Sequence, residues 1–192
     1  MKKNQEYEDK TFGSLDLSDE DLSGKVFYQC KFLGCNFTNA NFDYSSFDQC
    51  SFERCNLTNP TVESAKFLSA EFSGCKLMGI RFYKCNRLSF DAEFKECLVR
   101  SCNFTDLSMK GVRFLKCEID DCAFQNAFLS EADFSGSSFK ETLFHNSDLR
   151  KTSFYDATGY AIDPMTNNIE KAVFSVPDVL SLLSYFKIVI KD

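Results

Sequence analysis

The 192-residue chain has no tryptophan, one histidine and no apolar stretch long enough to cross a bilayer. The missing stretch argues against a helical membrane span. The start, Met1 to Lys10, is polar and has no signal-peptide core. A soluble cytoplasmic protein without membrane contact is the expectation. No Lys/Arg-rich tail or cluster offsets the net charge of −6, which argues against direct binding of nucleic acid through a basic surface. A Gly-rich phosphate loop, a nucleophile elbow and a Cys-x-x-Cys pair are also missing. With His145 as the lone imidazole, general acid–base chemistry has few options, so no enzyme, cofactor or metal is expected.

What the chain has instead is phenylalanine and a period. A large apolar residue returns every fifth position from Phe12 through Leu17, Leu22 and Phe27 to Phe82, then resumes two residues out of step from Phe94 to Phe154. Of the 22 Phe, 18 sit on these centres, so the aromatic excess is architectural. A period of five fits neither the helical 3.6 nor the strand period of 2. Sustained over most of a chain, it points to a solenoid.

The ten cysteines suggest a disulfide framework or a metal site at first sight. Each, however, lies two residues before a centre or its expected place, in a column that elsewhere holds Ala40, Ser45, Ala65 or Ser137. That column requires a small, tolerably apolar residue, and free Cys behaves as one. The cysteines therefore read as core thiols.

Around each centre the pattern is small residue, polar residue, Phe or Leu, polar residue, then often Gly, Asn or Asp. Ala40-Asn41-Phe42-Asp43-Tyr44 and Cys102-Asn103-Phe104-Thr105-Asp106 are examples. This resembles the pentapeptide repeat family over residues of about 11 to 158. The resemblance implies an all-β solenoid, a right-handed quadrilateral β-helix in which four pentapeptides make one square coil. Stacking four repeats per coil, with one irregular unit near 83–93, gives about seven coils. One face then carries Phe12, Phe32, Phe52, Phe72, Phe94, Phe114, Phe134 and Phe154, and the next a ladder of Cys35, Cys55, Cys75, Cys97 and Cys117. Both columns cross the irregular unit, so it reads as a two-residue bulge or loop around Arg87, Leu88 and Phe90.

Three segments follow: a polar lead over 1–10, the repeat over 11–158 and a C-terminal tail over 159–192. Lys10, Glu20 and Lys25 stand where later coils use small residues, which marks the first coil as a cap. In the tail, Asp163-Pro164 with Asn167-Asn168 reads as a loop and Ser175-Val176-Pro177-Asp178 as a capping-box-like helix start. A short helix with Val179, Leu182, Leu183 and Phe186 on one face follows, then a strand over Ile188-Val189-Ile190. This tail covers the last coil. Leu180, Ile188 and Ile190 exceed what covering requires, and with the helix face they make a candidate homodimer interface.

Within the family, Asp21-Leu22-Ser23-Gly24-x-x-Phe27-Tyr28-x-Cys30 and the apolar tail are similar to the branch containing the quinolone-resistance Qnr proteins and the microcin B17 immunity protein McbG. That similarity implies a dimeric, DNA-like rod binding DNA gyrase or topoisomerase IV and protecting it from a drug or toxin. Residues 117–192 carry 6 basic and 12 acidic side chains, and residues 76–116 carry 9 and 4. Glu118, Asp120, Asp121, Glu131, Asp133 and Glu141 are the candidate acidic contact residues, against the alternative of an ordinary solvated surface. The basic middle, with Arg81, Lys84, Arg87, Arg100, Arg113 and Lys116, fits DNA mimicry badly. A rival reading is a scaffold for another partner, signalled by Leu33, Leu98, Leu115 and Phe128 if they form one patch.

Overall fold

Each five-residue unit takes its shape from local chemistry. The central Phe or Leu and the small residue two before it point inward, while the flanking polar residues face out. The residue two after the centre adopts a left-handed conformation, as at Asn39 (φ 55°), Asn59 (φ 54°) and Asp121 (φ 52°), and turns the chain through a corner. Asn and Asp tolerate that region because their short side chains bond locally.

The computed structural model describes residues 5–189. Its first strands are β1 (Glu6–Glu8), β2 (Thr11–Gly13), β3 (Val26–Tyr28) and β4 (Lys31–Leu33). β1 pairs in parallel with β3, and β2 with β4, placing Tyr7 over Phe27 and Phe12 over Phe32. Residues 20 apart are therefore neighbours along the axis, and four units complete one turn of a four-sided parallel solenoid. Backbone bonds stitch each turn to the next, as from Lys31 N–H to the Lys10 carbonyl at 2.8 Å.

The solenoid runs past both expected limits and has about eight turns at the strand spacing. It begins within the supposed polar lead, because Tyr7 continues the five-residue phase backwards from Phe12. At the other end Val173–Phe174 still pairs with Ser153–Phe154. The period is lost there while the coil is kept: Ile162 stacks on Phe144 two residues early, and the turn after Asp163 restores the 20-residue spacing at Asn168. Asn167 fills the small-residue column by donating to the Phe144 carbonyl at 3.1 Å and accepting from Ser147 N–H at 3.0 Å. The expected loop is thus the corner of an eighth coil.

Inside, the expected Phe column holds and gains a member. Phe12, Phe32, Phe52, Phe72, Phe94, Phe114, Phe134, Phe154 and Phe174 stack face to face, with successive centroids 4.4–5.3 Å apart. It crosses the irregular segment with the two extra residues expected, since Phe94 pairs with Phe72 at a separation of 22 instead of 20, after a 3-10 turn over Phe82–Lys84 and a register shift between Phe90 and Ala92. All ten cysteines are free and buried. The thiols of Cys55, Cys75 and Cys97 donate to the carbonyls of Phe32, Phe52 and Phe72 at 3.2–3.4 Å, so the small-residue column also secures the corner behind each Phe.

The tail differs from expectation. Asp178–Phe186 is a 3-10 helix with Pro177 at its N-cap and no side-chain cap. Ser175 Oγ accepts from Asp156 N–H at 2.8 Å and Asp178 Oδ1 from Gly159 N–H at 3.0 Å, so both are spent on tying the tail to the last coils. Ile188 and Val189 are not in a strand, and Ile190 lies outside the described residues.

Candidate interaction surface

The six candidate carboxylates do not form one strip. Glu118 and Asp120 flank Ile119 on the face after the Phe column, and Asp121 and Glu141 stack at its following corner. Glu131 comes two faces later in the walk, at the corner leading back to the Phe column, and Asp133 precedes Phe134 on that column's own face. Three of the six meet counter-charges, Asp120 and Glu131 from adjacent coils and Glu141 from its sequence neighbour. Arg100 Nε lies 2.9 Å from Asp120, Lys110 and Lys151 lie 3.6 and 3.5 Å from Glu131, and Lys140 lies 3.8 Å from Glu141. Ser101 donates to Asp121 at 2.8 Å, and Ser135 to Asp133.

The same axial pairing absorbs much of the basic middle. Lys84 reaches Glu63 at 3.2 Å, Arg87 reaches Asp106 at 3.8 Å, and Arg113 pairs with Glu93. Carboxylates free of ion pairs among the described residues include Glu6, Glu8, Asp9, Asp19 and Glu20 on the first turns. The crowding of acids before Lys25 was the sequence signal for this region.

The loop residues part company. Leu88 is 98% exposed at the tip and Arg87 is exposed beside it, whereas Phe90 is only 9% exposed and packs edge-on against Phe67 and Phe82. Phe90 is a core residue of the irregular coil. Leu33 and Leu115 share a face but are separated along it by Glu53, Ser73 and Lys95, and Leu98 and Phe128 lie on other faces. The four apolar residues make no single patch.

The candidate dimer residues also divide. Leu182 is buried and Val179 packs on the core, so these two belong to the cap. Leu183 is half-buried, while Leu180, Phe186 and Ile188 are exposed, as are Val173, Val176, Tyr185 and Val189 of the same C-terminal segment.

No group of three metal-ligating side chains is close enough to hold an ion among the described residues, and His145 is exposed. A groove of about 420 Å³ beside the Phe82–Lys84 turn is lined by Asp43, Asn59, Thr61, Glu63, Arg81 and Lys84; Thr61 donates to Asn41 and Lys84 pairs with Glu63. No helix among the described residues is long and apolar enough to cross a membrane.

A four-sided rod of stacked parallel coils, with its polar side chains displayed outward and its thiols inside, is the architecture of a repeat protein that presents surfaces. A sequence profile described as the pentapeptide repeat region matches residues 25–91, 45–121 and 87–154. The chain belongs to the pentapeptide repeat family.

Among solved structures it is similar to two trypsin-treated variants of QnrB1, a plasmid-mediated fluoroquinolone resistance protein. Each is 20% identical with a TM-score of 0.62, over 97% of this chain and 90% of that one. No curated protein sequence matches.

Proposed function

We propose that the chain acts without catalysis, as a cytoplasmic homodimer that binds DNA gyrase or topoisomerase IV and protects it from a quinolone or microcin-type inhibitor. The observation carrying the dimer is the apolar end: Leu180, Phe186 and Ile188 stay exposed after Val179 and Leu182 have closed the last coil. The Asp21–Cys30 stretch names the partner class by its similarity to the Qnr and McbG branch, and the fold relationship to a fluoroquinolone resistance protein is consistent with it. Because the six candidate acids are spread over separate faces and corners and three of them are paired with bases, the contact is a patchwise protein interface of mixed charge and not a continuous DNA-like strip.

The test is gyrase supercoiling with purified chain, with and without a quinolone or microcin B17. Activity retained under inhibitor is the expected outcome, and no change at micromolar protein refutes the partner. Mass in solution tests the dimer separately: the intact chain should run as two copies and Phe186→Asp as one. A monomeric intact chain removes the dimer from the reading.

A further inference from the structure

Among the described residues, the first turn presents an unpaired strand edge. β1 pairs there with β3 alone and β2 with β4 alone. In later coils the N–H before each centre donates backward, as from Lys31 to Lys10 at 2.8 Å, Asn36 to Leu15 at 2.9 Å and Asn41 to Glu20 at 2.9 Å. The equivalent donors one coil earlier include Thr11 N–H and Asp16 N–H, and neither has a backbone partner among the described residues. The carbonyls of Leu33 and Thr38 accept from Ser14 and Asp19 at 2.7 and 2.8 Å, and their first-coil equivalents, Gly13 and Ser18, face the same open end. Apolar surface accompanies this edge: Leu15 is 41% exposed, and Phe12 and Leu17 are only partly buried.

Charge identifies what fits. Residues 5–25 carry seven carboxylates against Lys10 and Lys25. Glu6, Glu8, Asp9, Asp19 and Glu20 take part in no ion pair among the described residues. The other end of the rod is covered by the Asp178–Phe186 helix, whereas this one offers backbone donors and acceptors, apolar contact and unbalanced negative charge together. We propose that it binds an extended, Lys/Arg-rich segment of a protein partner by strand addition along Thr11–Gly13 and Asp16–Ser18. Backbone pairing supplies the register, and the carboxylates select a cationic segment over a neutral or acidic one. This site lies at the opposite end of the chain from the proposed dimer surface and does not depend on the topoisomerase reading.

A fluorescently labelled peptide of alternating Lys and Val, with a Glu/Val peptide as counterpart, tests it on the full chain by anisotropy. The Lys/Val peptide should bind, and the Glu/Val peptide should bind at least tenfold more weakly. Asp19→Lys with Glu20→Lys should also cost at least tenfold, and Glu96→Lys, at an exposed corner in the middle of the rod, should change little. Amide hydrogen exchange gives a readout independent of any variant's folding: the peptide should slow exchange at Thr11 and Asp16. Failure of the Lys/Val peptide to bind, equal binding of both peptides, or binding that leaves those amides unchanged would overturn the proposal. So would amides already protected in the free chain.

Discussion

Replacing Phe114 by Ala strikes the middle of the Phe column. Its ring is fully buried, stacked 4.4 Å from Phe94 and 5.2 Å from Phe134, with edge contacts to Phe104 at 5.7 Å and Phe124 at 5.9 Å. Truncating a buried Phe costs roughly 3–5 kcal/mol, and each ring pair contributes about 0.5–1.5 kcal/mol beyond area. With neighbours above, below and beside it, Phe114 belongs near the top of that range, at about 5 kcal/mol. Phe12 has a coil on one side only and is partly buried, so Phe12→Ala should cost about 2 kcal/mol. In a nearest-neighbour array the first change breaks two coil interfaces and the second frays an end. Urea unfolding followed by far-ultraviolet circular dichroism measures both. The expected difference of about 3 kcal/mol corresponds to roughly 6–12 °C in Tm for a chain of this size. Equal costs for the two substitutions would refute nearest-neighbour stabilisation, because a single cooperative core would not distinguish middle from end so sharply.

Further outcomes follow from particular side chains. Gly159 has φ +72° and a Cβ there would sit 2.3 Å from the Phe139 carbonyl oxygen, so Gly159→Ala should cost about 2 kcal/mol or more in thermal unfolding. The Tyr160 hydroxyl is buried with no hydrogen-bond partner among the described residues, so Tyr160→Phe should stabilise by roughly 1 kcal/mol, read from the same melts. Burial raises the Cys50 thiol to about 12 and pushes the Cys85 thiol up as well. Their stabilising contribution is present below the ordinary thiol value near 9 and is lost as pH rises from there toward 12. Stability should therefore be flat near neutrality and fall at alkaline pH, and native protein should resist thiol reagents until denatured. Rapid labelling of the folded chain would refute the buried column.

The fold was legible because every coil repeats one bargain between a Phe, a small residue and a corner that accepts a left-handed backbone. Columns at 20-residue spacing give the Phe stack and the thiol ladder, and Phe12, Phe32 and Phe52 pair along the axis in that register. The eighth coil was illegible because its signals are substitutes. Asn167 stands in for a small residue, and Ile162 reaches its place two residues early, so the contacts persist where the period does not. The surface was harder for a different reason. Charge summed over consecutive residues made the middle basic and the end acidic, yet axial neighbours are far apart in sequence, and Arg100 with Asp120 or Lys110 with Glu131 cancel locally. The tail's spacing predicts an amphipathic helix and equally suits a 3-10 helix with Val179 and Leu182 inward.

The fixed step between coils makes this molecule a ruler. Each turn advances about 4.8 Å along the axis, so eight turns hold the acidic end and the apolar end roughly 40 Å apart. Point substitutions leave that separation alone, because they alter what a rung displays and not how many rungs there are. Only gain or loss of a whole twenty-residue turn resets it while keeping every column in register. Partners gripping both ends would thus be held at a spacing quantised in coils.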